Sequence, residues 1–226
     1  MTLIDLSVTK DDTTVSFAEK AYQLLIRKIT RLELAPGTVL VEKDLMAELE
    51  IGRTPIREAL QRIATEGLIQ HLPNRGMLVT DLGASNVQAI YEFRSLIEGE
   101  AARLAATRAT AEDINELQTL DEMLNQATNE VDIDSFVALD LRFHETLGRA
   151  SKNIYLAEAA PRIFNLHLRL WFYISSKTGI WHPVARSHDE MTRGVVDAIK
   201  AGLPDEAEEV MTSYIARRHQ EVKALL

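Results

Sequence analysis

The chain contains no cysteine, which excludes disulfides and thiolate metal sites and fits a reducing, cytoplasmic setting. No apolar run approaches the ~20 residues that a membrane span needs. The opening residues, MTLIDLSVTKDD, lack the basic tip and apolar stretch of a signal peptide, so residues 1–15 are expected to form a disordered tail. Positive charge is scarce: 25 Lys and Arg stand against 34 Asp and Glu, a net charge of −9. Loose nucleic-acid binding draws its affinity from neutralising phosphates, so this balance speaks against it. One local basic face on a specific binder is still compatible with it. Also missing are a His-Glu-x-x-His pair, a phosphate-binding glycine loop and a Gly-x-Ser-x-Gly elbow, as are internal repeats and low-complexity tracts. With 46% apolar residues, the chain can bury a sizeable core.

The deficit of positive charge is uneven. Residues 1–80 carry ten Lys and Arg against eleven Asp and Glu; residues 81–226 carry fifteen against twenty-three. In the first part, Ser16 followed by Glu19 signals a capped helix start, and Tyr22, Leu25, Ile26 and Ile29 follow at helical spacing. LAPGT (34–38) makes a turn. Leu45, Met46 and Leu49 form one face of a short helix, which Glu50, Ile51 and Gly52 interrupt. A second helix starts near Thr54 with Pro55 in its first turn. It buries Ile56, Leu60 and Ile63, turns Arg53, Arg57 and Glu58 outward, and closes at Gly67. The period then changes to two: LIQHL and GMLVT read as strands around a turn at Pro73–Asn74. Helix, short helix, tight turn, helix and hairpin make a winged helix-turn-helix over 16–80.

Residues 81–86 read as a linker, and 87–226 as a six-helix bundle, so the fold class is mainly α. The helices are expected at about 84–107, from Thr110 with Asp113 as a capping pair, 133–150, 153–175, 183–201 and after Pro204. In the first, Ile90, Phe93, Ile97, Ala101 and Leu104 should face inward.

Arg53, Thr54 and Arg57 cluster at the start of the second helix, the part that enters a major groove. Arginine there can bind guanine in a fork or clamp a phosphate, and the backbone N–H groups of a helix start add phosphate contacts. A solvated face with salt bridges such as Arg57–Glu58 or Arg62–Glu66 is the plainer alternative. In the bundle, Asp140 and His144 share the apolar stripe of Phe136, Phe143 and Leu147. His188 and Thr192 share that of Val195 and Ile199, Tyr214 lies beside Ala207, Val210 and Met211, and His167 lies near an inward face. A carboxylate on an apolar face is costly unless paired or bound to a cation. These groups point to a polar cavity, with Asp140 paired to an inward arginine such as Arg94 or Arg169. Arg94 itself can face a carboxylate ligand or pair with Glu98 one turn on.

The stretches LAPGTVLVEKDLMAEL, RTPIREALQRIATEGLI with Gly76, RSLIEGEAARLAA and DLRFHETLGRASKN together resemble the GntR family of bacterial transcription regulators, in its FadR-like branch with an all-helical FCD effector domain. The resemblance implies DNA contacts by Lys43, Arg53, Thr54, Arg57, Arg75 and Gly76, the last two at the wing tip. It implies a homodimer on a palindromic double-stranded operator, and a small carboxylate effector held by Arg94, Asp140, His144, His188, Thr192 and Tyr214. It further implies a divalent metal such as zinc or nickel on one Asp and three His. Asp140 and His144 match the first two positions; Thr192 and Tyr214 occupy the others, with His188 or His167 as substitutes. The family also has a glycine where this chain has Glu50, and a serine or threonine where it has Gly52. Two alternatives stay open at the level of sequence: a metal-dependent hydrolase or isomerase built on Asp140 and His144, and a DNA-organising protein without an effector.

Overall fold

The computed structural model describes residues 15–72, 76–178 and 182–225. The expected tail and the Pro73–Asn74 turn lie outside them, apart from Val15. The chain divides into two compact units between Thr80 and Asp81.

The first unit holds α1 (Phe17–Thr30), β1 (Val39–Leu40), α2 (Glu42–Leu49), α3 (Arg53–Thr65), β2 (Ile69–Leu72) and β3 (Gly76–Val79). The Ser16 hydroxyl caps α1 by accepting the Glu19 N–H, satisfying a backbone donor that the helix cannot. The Glu19 carboxylate is taken up by the Gln23 amide and the Arg62 guanidinium, each at 2.7 Å. Leu25 and Ile29 of α1 and Ile56, Leu60 and Ile63 of α3 are fully buried, and the two helices pack on one another. Gly67 ends α3 in the left-handed region at φ +86°, with Leu68 N–H returning to the Ile63 carbonyl at 3.3 Å; glycine takes that conformation without steric cost. The sheet has three strands in the order β1-β3-β2, all antiparallel. β1 is two residues long, too short for a period of two to register in sequence.

The second unit holds α4 (Ala84–Arg108), α5 (Ala111–Glu130), α6 (Ile133–Ala150), α7 (Ile154–Thr178), α8 (His182–Ala201) and α9 (Pro204–Lys223). α4 begins inside the stretch expected as a linker, which leaves 81–83 outside the helix; the Asp81 carbonyl and carboxylate bind Asn86 and the Gly83 N–H. Thr110 and Asp113 form a complete capping box on α5, held from outside by Lys152 at 2.5 Å.

The buried face of α4 differs in part from the expected one. It runs through Val87, Ile90, Tyr91, Arg94, Glu98, Gly99, Ala101, Ala102, Leu104 and Ala105, so Ile90, Ala101 and Leu104 face inward as expected. Phe93 is 37% exposed and Ile97 is half-buried. Close approach by α9 turns the helix this way: a Cβ on Gly99 would sit 2.7 Å from the Thr212 methyl. The side facing α9 therefore carries small residues and one charged pair, and apolar periodicity alone misplaces Phe93 and Ile97.

A candidate nucleic-acid interface and a buried ligand centre

Each of the three arginines in α3 has a different setting. Arg62 is structural: it bridges Glu19 at 2.7 Å and Glu66 at 3.5 Å, and its guanidinium lies 3.5 Å over the Tyr22 ring. The Tyr22 hydroxyl donates to both Glu66 oxygens at 2.9 and 3.0 Å, which together with burial pushes its pKa up. Arg53 and Arg57 instead project outward, with 69% and 60% of their side chains exposed. Their acidic neighbour is Glu42 of α2, at 3.9 Å from Arg53 Nε and 3.3 Å from Arg57 Nε, in place of the Glu58 that adjacency suggested. Exposed pairs of this kind contribute at most about 1 kcal/mol, so Glu42 steers the two cations without consuming them. Thr54 and Lys43 are exposed beside them. Gly76 opens β3 at φ +75° and lines, with Arg57, Gln61 and His71, a groove of about 420 Å³ between α3 and the hairpin. Arg75 lies outside the described residues.

Two departures in the α2–α3 turn have a backbone meaning. Glu50 closes α2 in the left-handed region, φ 54° and ψ 35°. A side chain there is strained by roughly 1 kcal/mol. Gly52 precedes α3 at φ −65° with no side-chain cap. A serine at this place would cap the helix, since a Cβ meets nothing within 4 Å.

In the helical unit, Asp140, His144 and His188 are all buried, and one donor atom from each lies within 4.8 Å of the others. Asp140 Oδ1 is 2.9 Å from His188 Nε2 and 3.3 Å from His144 Nε2. Arg94 is fully buried, but its fork grips Glu98 at 2.7 and 3.0 Å, and Arg169 donates to the Asp81 carbonyl. Asp140 is thus paired with histidines and not with either arginine. Glu98 Oε2 lies 3.7 Å from His144 Nδ1. Burial alone would raise the Asp140 pKa; His188 and His144 outweigh it and hold the carboxyl well below its usual range. Burial would lower His144, yet Glu98 and Asp140 raise it, while burial with Arg94 nearby drives His167 far down.

This donor set fits a divalent cation. Asp140 Oδ1 and His188 Nε2 have no hydrogen-bond partner although 2.9 Å separates them. The approach is close without the alignment of a hydrogen bond, which leaves both atoms open to a cation between them. Two imidazoles and one carboxylate suit zinc or nickel with a position left open, and Glu98 lies 3.7 Å from the other ring nitrogen of His144, beyond hydrogen-bond distance.

Thr192 and Tyr214 are placed differently from what the resemblance implies. The Thr192 hydroxyl donates to Asp121 at 2.6 Å and to the Asp189 carbonyl at 3.2 Å, outside the donor set; His188, one turn earlier on α8, takes part in it. Tyr214 meets the His188 ring edge-on at 5.9 Å. Where a polar cavity was expected, the space that the described residues leave against Glu98, His144 and Leu147 is about 10 Å³, the size of one water. Sequence reasoning missed Asp121 and Arg218, buried to 8% and 6% exposure. The signal was present, since Asp121 falls on the stripe of Leu117 and Leu124, and Arg218 on that of Met211 and Tyr214.

Known proteins give the same outline. Residues 89–217 match the FCD domain family, and residues 17–79 match the gntR family of bacterial regulatory proteins. The chain belongs to the gntR family and carries its FCD domain. It is 36% identical over 129 residues to the Nta operon transcriptional regulator of Aminobacter aminovorans, covering 57% of this chain and 60% of that protein. It is 32% identical over 136 residues to the gluconate operon transcriptional repressor of Bacillus subtilis, covering 60% and 55%. The match thus spans 60% and 55% of the length of these two relatives. Among solved structures, Escherichia coli McbR/YncC superposes with a TM-score of 0.71 at 23% identity, covering 91% of this chain and 98% of that one, which shows a common fold. The relatives are regulators of transcription, not enzymes, and among the described residues no helix is long and apolar enough to cross a membrane.

Proposed function

We propose that this gntR-family protein is a cytoplasmic, sequence-specific DNA-binding regulator. In this reading it binds a palindromic operator as a homodimer, and a small organic acid held with a divalent metal in the helical unit controls binding. The observation that carries the DNA-binding part is the pair of exposed guanidinium groups at the start of α3, Arg53 and Arg57. They stand where a recognition helix enters the major groove, in a unit whose remaining α3 arginine is committed to packing. Lys43, Thr54, Gly76 and Arg75 complete the contact set, with backbone-positioning contacts around base-reading ones. Two readers on one palindrome give an affinity that one short helix does not reach.

Asp140, His144 and His188 hold the metal in this reading. When bound, the metal offers its open position to an acid's carboxylate. Arg94 and Tyr214 line the same interior, and Thr192 sets the position of α8 through Asp121. The gluconate-operon relative is consistent with an acid as the signal. A metal-dependent enzyme on the same residues is disfavoured by the relatives, which are regulators of transcription.

Selection from a random pool of duplexes tests the DNA-binding part. An enriched motif with two-fold symmetry is expected. Uniform retention of all duplexes would replace the regulator with a DNA-organising protein.

A further inference from the structure

Beyond the metal donors, the interior of the helical unit holds a second set of polar atoms without partners. Arg94 is fully buried and Arg218 is 6% exposed. Arg94 Nη1, Arg218 Nε and Arg218 Nη1 make no hydrogen bond, nor does Nε2 of His219. Unmade hydrogen bonds on buried charged groups are costly, about 1–3 kcal/mol each or more, so a group of them at one place calls for a ligand.

The two arginines share one neighbourhood. The Arg94 guanidinium lies 5.7 Å from the Tyr91 ring centre, and that of Arg218 lies 5.8 Å from the Tyr214 ring centre. His219 stacks on Tyr91 at 4.7 Å. Each guanidinium acts on both phenols, drawing their pKa values down against the burial that raises them. Tyr214 links this group to the metal donors through its contact with His188 at 5.9 Å. It also forms a wall of a cavity of about 180 Å³ bounded by Met191, Val210 and Arg217.

Charge decides what kind of ligand suits the place. Arg94 is already neutralised by Glu98, a bidentate partner that is itself buried. Arg218 is not matched in the same way: its carboxylate neighbour, Glu221, is 40% exposed and spends much of its charge on water. With a divalent cation on Asp140, His144 and His188, the two arginines and the cation exceed Glu98 and Asp140 by two positive charges. A monocarboxylate leaves one of these unmatched in a low-dielectric interior.

We propose that Arg218, with the free edge of Arg94, forms a second anion subsite, and that the effector is a small dianionic acid with one carboxylate for the metal and a second acidic group for the arginines. The idea rests on the acid-responsive reading above and adds to it the number of charges. Two forked cations on separate helices, α4 and α9, also fix the spacing of the two acidic groups, because guanidinium binds carboxylate in a defined plane.

Calorimetry on the full-length, zinc-loaded protein tests this with malonate, succinate and glutarate against acetate, propionate and butyrate. One dicarboxylate is expected to bind at least about tenfold more tightly than any monocarboxylate. Arg218→Met should erase that preference and leave monocarboxylate affinity unchanged, while Arg218→Lys keeps part of it. Ligand-free Arg218→Met should melt at or above the wild-type temperature, since it removes two buried donors without partners and only one bond, from Nη2 to the half-exposed Glu221. Equal binding of both ligand classes by the wild type, or a preference that survives Arg218→Met, overturns the subsite and leaves a one-carboxylate regulator standing. Arg218→Met melting well below wild type with the preference intact assigns Arg218 to the fold, with the same consequence. If neither class binds, the subsite and the acid effector fall together, while the duplex selection still reports separately on DNA binding.

Discussion

The two units use arginine in opposite ways. In the first, Arg53 and Arg57 stand in water beside a single half-exposed glutamate. In the second, Arg94, Arg169 and Arg218 are buried, and burial pushes Arg169 down to about 10. An exposed guanidinium costs the fold almost nothing and stays available to a partner that brings its own charge, as a phosphate chain does. A buried one must be matched inside the protein or by a ligand. The same residue type thus marks an outer binding face in one unit and an inner one in the other, and exposure tells them apart.

Substitutions sharpen this contrast, and the largest effect is expected inside. Arg94→Met strands the Glu98 carboxylate in the core and should cost about 3–5 kcal/mol in urea unfolding. Arg53→Ala and Arg57→Ala should change stability by no more than about 0.5 kcal/mol. Comparable losses at both places would erase the distinction. Next in size is the metal. His188→Ala should lose zinc in equilibrium dialysis by at least about tenfold, whereas Thr192→Ala, whose hydroxyl is turned to Asp121, should keep it. The reverse outcome would return the third ligand to the position that the resemblance implies.

A smaller effect is local. Glu50→Gly should add about 1 kcal/mol of stability by relieving the left-handed conformation at φ 54°, read from a thermal melt. Smallest is a pH effect at the start of α5. Burial would raise Asp113, but Lys152 and the Thr110 cap outweigh it and hold it at about 2. Its contribution is therefore complete above the ordinary aspartate pKa and is lost as pH falls from about 4 to about 2. Asp113→Asn should flatten the stability profile in that window and nowhere else.

How much of this was legible in the sequence follows from what each signal measures. The winged helix-turn-helix and the six later helices were readable because capping pairs, Pro55, Gly67 and apolar periodicity are local features. β1 was not, because two residues paired across the sheet leave no local pattern. The outward faces of Arg53 and Arg57 followed from Ile56, Leu60 and Ile63 alone. Arg94 was legible as an inward arginine, with Glu98 one turn on as one of its two expected partners; the exposure of Phe93 did not follow from α4, and depends on α9 closing over Gly99. Asp140, His144 and His188 were visible as polar residues on apolar stripes. That Asp140 faces the imidazoles while Arg94 takes Glu98 needed the packing of α4, α6 and α8 together.

Affinity for the selected duplex, measured by fluorescence anisotropy over a range of salt, tests the central claim most directly. Arg53→Ala and Arg57→Ala should each weaken binding about ten- to hundredfold, and a lost phosphate contact should also flatten the salt dependence. Variants that bind as tightly as the wild type, with an unchanged salt slope, would contradict the assignment of α3 as the element that reads DNA.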